Sequence, residues 1–220
     1  MNDPFEYVVD IRFDSSPETI ARNLRRAQER TGQRQLIDET IADSRSITGQ
    51  IMMQRGFSNH TKQWGTCSFT SDVCDAEMWA YYGEGHTGIA VVYNSTPEVV
   101  GDVLEAEPMP LFPLKVEYKD EPAVLHYWEA QPNVVAQSTV GRKSRNWEHE
   151  KEWRFVGEDG GGLRSVNRKE FIDGIALGLK ANPETRQRML DFAASHGLES
   201  YKMVMESPAK SYRLKMVPVK

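Results

Sequence analysis

Within KSRNWEHEKEWRF, residues 143–155, three carboxylates alternate along the chain (Glu148, Glu150, Glu152), Arg154 follows, and Trp147 and Trp153 stand among them. A carboxylate fixed on rigid backbone beside a guanidinium can recognise a hydroxyl or take a proton from one. The segment changes period: Lys143 to His149 suits one or two helical turns, whereas Glu152 to Val156 alternates polar and apolar as a half-buried strand does. On that strand Glu152 and Arg154 are expected on one face, with Trp153 and Phe155 on the other, pointing into a core. Glu150 joins the polar face if the strand starts one or two residues early, and Glu148 is left facing solvent. An exposed, ion-paired strand edge is the alternative use of the same residues.

Other candidate groups lie upstream. Ser68 and Thr70 alternate on a strand-like run, Trp64 to Thr70, where hydroxyls line a polar cleft or pass into a helix cap. Trp79 and Tyr82, three apart on a short helix, form either a stacking wall or core. The glycine-rich bend that follows can bring His86 and backbone amides close to a ligand. His149 lacks a second histidine at helical spacing, so an exposed helix-end residue is expected rather than a metal ligand. Cys67 and Cys74, the two cysteines, match no common zinc spacing and read as a reduced pair. No metal site is expected. The chain holds no phosphate loop, no H-E-x-x-H, no nucleophile elbow and no dinucleotide fingerprint.

The elements that must position these groups read in order as follows. Pro17 to Arg30 is expected to be a helix ended by Gly32, and Gln35 to Gln54 a second, the two forming a hairpin over 17–56. Beyond Trp64 come the hydroxyl-bearing strand, a helix capped by Asp75 that runs through Tyr82, a strand Gly88 to Tyr93, and a helix Glu98 to Ala106 opened by Thr96 and Pro97. Leu111 to Tyr118 reads as a strand and Pro122 to Asn146 as mostly helical. Gly160 to Gly162 reads as a turn, followed by strand Ile172 to Leu179, helix Pro183 to His196, and strands Lys202 to Glu206 and Tyr212 to Val217. Unequal helices among strands, without a regular strand-helix repeat, favour an α+β fold: a single domain with the helical hairpin packed on a mixed or mostly antiparallel sheet.

Composition narrows function. The chain has 220 residues, 39% hydrophobic and 27% charged, enough for one sizeable core. A net charge of -5 argues against a broad nucleic-acid surface, which rests on clustered Lys and Arg. No apolar run approaches the roughly 18 residues of a membrane span, and the acidic start MNDPFEYVVD lacks the features of a secretory signal. A cytoplasmic protein is expected.

Several of these pieces together resemble the bacterial domain-of-unknown-function family 2971. They are Asn2-Asp3-Pro4-Phe5-Glu6, the block CSFTSDVCDAEMWAYYGEGHTGIAVVY over 67–93, the strand ending Val116-Glu117-Tyr118, and K-x-x-x-W-x-x-E-x-E-x-R at Lys143, Trp147, Glu150, Glu152 and Arg154. The resemblance runs nearly end to end. It implies a further strand and helix ahead of the N-D-P-F-E motif, which this chain starts with. The family is also distantly similar to ADP-ribosyltransferase-like domains, where a first strand offers Arg or His to NAD, a second a hydroxyl near the nicotinamide, and a third a catalytic Glu. That similarity implies Ser68 and Thr70 as the second element and Glu150-x-Glu152 as the third. Glu152 would be the catalytic carboxylate and Glu150 its assistant; Arg154 would reach a carboxylate or phosphate, and Trp79, Tyr82 and His86 would line the NAD site with Asn2 and Asp3. NAD would be a substrate rather than a bound cofactor, in an effector of toxin or phage-defence type. A non-catalytic binding module and a metal-independent nuclease using His86, Glu150 and Arg154 are the alternatives.

Overall fold

The computed structural model describes residues 8–32, 37–105, 111–157, 169–207 and 211–219, at Tyr212 as backbone only. Asn2, Asp3 and the Gly160–Gly162 turn lie outside them. The elements run β1 (Val9–Arg12), α1 (Pro17–Thr31), α2 (Ile37–Arg45), α3 (Ile47–Thr61), β2 (Gly65–Thr70), α4 (Ala76–Tyr81), β3 (Ile89–Tyr93), α5 (Pro97–Leu104), β4 (Phe112–Lys115), β5 (Glu117–Lys119), β6 (Ala123–His126), α6 (Pro132–Thr139) and β7 (Arg142–Ser144). A 3₁₀ turn (Arg145–Glu150), β8 (Glu152–Gly157), a short 3₁₀ turn (Lys169–Phe171), β9 (Ile172–Leu177), α7 (Pro183–His196), β10 (Glu199–Ser207) and β11 (Ser211–Pro218) complete the order. The class is α+β, as expected.

The chain gathers into two compact units: Met1–Cys67, Leu114–Glu148 and Val156–Gly162 form the first, Ser68–Pro113, His149–Phe155 and Leu163–Lys220 the second. β2, β8 and β4 make a three-stranded sheet in that order.

In the first unit α1 starts and stops as its sequence dictates. Ser16 accepts from the Thr19 amide at 3.2 Å, Pro17 opens the first turn, and Gly32 closes the helix in the left-handed region (φ 69°), which costs a residue without Cβ little. The single helix expected over Gln35 to Gln54 is instead two, α2 and α3. Two serines decide this: Ser44 bonds the Ile41 carbonyl, and Ser46 bonds the Asp43 carbonyl and caps α3 by accepting from Gly49 N at 2.9 Å. A Cβ on Gly49 would meet the Asp43 carbonyl oxygen at 2.0 Å, so the bend needs glycine there. The mostly helical reading of Pro122 to Asn146 is also corrected. Ala123 to His126 alternates buried and exposed as β6, parallel to β1, and only Pro132–Thr139 is helical before β7 pairs in parallel with β5. A parallel pair needs a crossover, and α6 lies between β5 and β7 in the chain.

The second unit is built on a mixed sheet in the order β11-β10-β9-β3. β10 is antiparallel to β11 and parallel to β9, with α7 as the crossover, and β3 is antiparallel to β9. Asn182 caps α7 by accepting from Thr185 N at 2.7 Å, and Gly197 ends it at φ 67°. Trp79, Ala176, Met203 and Leu214 form the core of this unit, with Val73, Ala90, Val92 and Tyr201 packed around them. No described helix is long and apolar enough to cross a membrane.

Candidate functional site

Ser68, Thr70, Trp79, Tyr82, His86, Glu150, Glu152 and Arg154 all belong to the second unit. β8 begins at Glu152, after the 3₁₀ turn that ends on Glu150, and the residue between them, Lys151, takes a left-handed backbone (φ 46°). That single residue breaks the strand alternation before Glu152, so Glu150 and Glu152 do not share a strand face. Lys151 is held there by three bonds: its carbonyl accepts from Ser71 N at 3.3 Å and from Ser71 Oγ at 3.2 Å, and its ammonium meets Asp72 Oδ2 at 2.6 Å. The Lys151 hydrogen bond holds the Asp72 carboxyl below its ordinary range, and the Asp72 bond raises the Lys151 ammonium above its own.

The faces of β8 are opposite to the expected ones. Glu152 and Arg154 are 5% and 1% exposed, and Trp153 is 41% exposed. The inversion is possible because the two charges satisfy each other. Arg154 Nε donates to Glu152 Oε1 at 2.7 Å and Nη2 to Oε2 at 3.0 Å, a two-pronged pair that the i, i+2 spacing of a strand brings together. Phe155, half-buried, packs on Phe69 at 4.8 Å between ring centroids, and Phe69, Tyr93 and Phe171 continue the aromatic cluster.

Glu150 is 2% exposed, and its carboxylate accepts from the Tyr82 hydroxyl at 2.8 Å. Its carbonyl accepts from Thr70 Oγ1 at 2.8 Å, while the same hydroxyl accepts from Asp72 N at 3.0 Å. Thr70 therefore spends its one donor fixing the Glu150 backbone. Tyr82, 52% exposed, follows α4, which Asp75 caps by accepting from Glu77 N and Met78 N. Tyr82 also lines a cavity of about 390 Å³ with Glu84, Gly88, Ile89, Glu184, Thr185, Arg188 and Met189.

The other expected members of the site are placed as follows. Trp79 is core, 4% exposed, with its indole N–H on the Val73 carbonyl at 2.7 Å, so it is no stacking wall. Ser68 is exposed on β2. His86 takes a left-handed backbone (φ 74°) in the glycine-rich bend, and its Nδ1 is buried with no partner among the described residues. His149 lies 3.3 Å from Glu77. Cys67 and Cys74 are free thiols, and burial pushes the Cys67 thiol up. The structure thus brings together Tyr82 with Glu150, Thr70 with the Glu150 backbone, and Glu152 with Arg154. Sequence reasoning missed Glu84, Glu184, Thr185 and Arg188 as cavity residues. Glu184, Thr185 and Arg188 crowd the first turns of α7, a charged face that usually means solvent, and only the cavity distinguishes the two uses.

Compared with known proteins, the chain matches no family model, no curated protein and no solved structure.

Proposed function

We propose that this chain is a member of the domain-of-unknown-function family 2971 acting on NAD as an ADP-ribosyltransferase-like transferase or glycohydrolase, with Glu150 rather than Glu152 as the working carboxylate. The observation that carries this reading is the Tyr82–Glu150 hydrogen bond, because Tyr82 also lines the 390 Å³ cavity and so links a buried carboxylate to open space. The tie between Thr70 and the Glu150 backbone further supports it, since it joins the hydroxyl-bearing strand to the glutamate. Glu152 is already committed to Arg154 and stabilises β8.

In the proposed reaction the bond between the nicotinamide nitrogen and ribose C1′ breaks, and its electron pair leaves with neutral nicotinamide. Positive charge then builds on the sugar, and a carboxylate held at the ribose hydroxyls by Tyr82 stabilises that charge more than the ground state. Water or an acceptor hydroxyl attacks C1′ and gives its proton to solvent or to the carboxylate. Arg188, in the wall of the cavity, is the group to meet a phosphate of the dinucleotide.

Nicotinamide release from NAD by the purified chain tests this. Glu150→Gln is expected to lower turnover by about a hundredfold and Tyr82→Phe by about tenfold. Absence of release together with no thermal protection by NAD or ADP-ribose would sink the reading. A non-catalytic binding module is the second reading, favoured by the near-complete burial of both Glu150 and Glu152; protection without turnover is its signature.

A further inference from the structure

We propose that a second, separate cavity, built entirely by residues of the first unit, binds the phosphate group of a small phosphate monoester. It measures about 210 Å³ and is lined by Lys119, Arg142 and Lys143, by the hydroxyls of Ser138 and Ser144, and by Glu121 beside the apolar Val8 and Pro122.

The backbone explains the convergence. α6 ends at Thr139, and the chain turns at once into β7 through Gly141, where a Cβ would meet Gln137 Nε2 at 2.8 Å and Gln137 Cα at 2.9 Å. Gln137 Nε2 donates to the Gly141 carbonyl at 2.8 Å and to the Lys115 carbonyl at 3.2 Å, tying the turn to the chain that leads into β5. β5 and β7 then pair in parallel with Glu117 opposite Arg142 and Lys119 opposite Ser144, which puts Lys119, Arg142 and Ser144 on one face of the pair.

Two observations point to an anion. Arg142 Nε is buried and has no hydrogen-bond partner among the described residues. An N–H of an obligate cation withdrawn from water in this way is costly unless an acceptor reaches it, and a phosphate oxygen in the cavity is such an acceptor. The charges agree: Lys119 and Arg142 line the space with Lys143, whose ammonium stands 5.2 Å from the Trp147 ring centroid, against two carboxylates, and one of these, on Asp120, is drawn to Arg145 at 3.5 Å. Cations from two strands together with hydroxyls suit a tetrahedral dianion better than a planar carboxylate. The volume sets the class, because sites for drug-sized molecules span about 300–1,000 Å³, whereas this one takes a phosphate with a few carbons.

Calorimetric titration of the whole chain at fixed ionic strength with glycerol 3-phosphate, inorganic phosphate and lactate decides it. Glycerol 3-phosphate is expected to saturate one site, more tightly than lactate, and Arg142→Gln to weaken it by about tenfold or more. Lys119→Gln, at an exposed position, is expected to weaken it as well, and it carries the test should Arg142→Gln fail to fold. Arg188→Gln, in the other cavity, is expected to bind like wild type, so failure here is distinct from failure of the NAD reading. The proposal is overturned if wild type shows no saturation with glycerol 3-phosphate, if lactate binds as tightly, if inorganic phosphate binds and the monoester does not, or if folded Lys119→Gln and Arg142→Gln both titrate like wild type.

Discussion

At Glu152 the two uses of a carboxylate beside an arginine separate by energy. A buried, two-pronged pair is nearly neutral against an apolar replacement, but removing one partner strands the other charge and costs about 3–5 kcal/mol. Glu152→Gln should therefore destabilise the fold by at least about 3 kcal/mol in urea denaturation. Glu150→Gln, which keeps a group able to accept from Tyr82, should cost about 1 kcal/mol. Equal losses from the two substitutions would contradict the assignment of Glu152 to structure and Glu150 to chemistry. The Lys151–Asp72 tie makes a pH signature. The Asp72 carboxyl, lowered from 3.8, contributes above that value and loses its contribution as pH falls through its folded pKa. The Lys151 ammonium, raised from 10.5, contributes below that value and loses its contribution as pH rises through its folded pKa. The stability difference between wild type and Asp72→Asn is therefore expected to hold steady between these limits and to shrink beyond each. A flat difference through both limits would show that the tie does not set the Lys151 turn. The chemistry-bearing types at Glu150, Glu152 and Arg154 were legible in the sequence, and so was Asp75 as a cap. Which glutamate was committed to Arg154 was not, because one left-handed residue at Lys151 resets the phase, and period-based reasoning assumes an unbroken strand.

Among the elements, the end of β9 and the bend that carries His86 meet closely. Just after β9, Gly178 donates its amide to the Gly88 carbonyl at 2.9 Å, and a Cβ there would stand 2.3 Å from the His86 carbonyl oxygen and 2.9 Å from that of Gly88. Gly178→Ala must push backbone against backbone and is expected to destabilise by about 2–3 kcal/mol in chemical denaturation. A loss under about 0.5 kcal/mol would mean that the bend yields freely. Elements with strong punctuation were readable: α1 and α7 have cap, proline and closing glycine in order, and both formed at the expected residues. β6 and β7 escaped because four- and three-residue strands carry too few alternations to be seen beside the proline-opened α6.

For the molecule as a whole, charge and ligand chemistry can be tested in one measurement. With a net charge of -5, a short single-stranded RNA should give no protection that disappears with salt, whereas NAD at a hundred times its dissociation constant should add about 2.7 kcal/mol. Thermal unfolding with each probe at two salt concentrations checks both. Salt-sensitive protection by RNA alone would favour the nuclease alternative. The α+β class was legible because strands and helices follow one another unevenly. The threading of the chain through two units was not, because nothing in the composition changes where it passes from one to the other.

That threading orders events during synthesis. The first unit takes its last segment from Val156–Gly162, while the second draws on Leu163–Lys220 and so on residues translated later. A ribosome that has passed Gly162 has therefore delivered every residue of the cationic cavity, whereas Glu150 and Tyr82 must wait for β9 to β11 before their unit is whole. Premature termination between these points would release a chain with the full set of residues for one proposed site and an incomplete scaffold for the other.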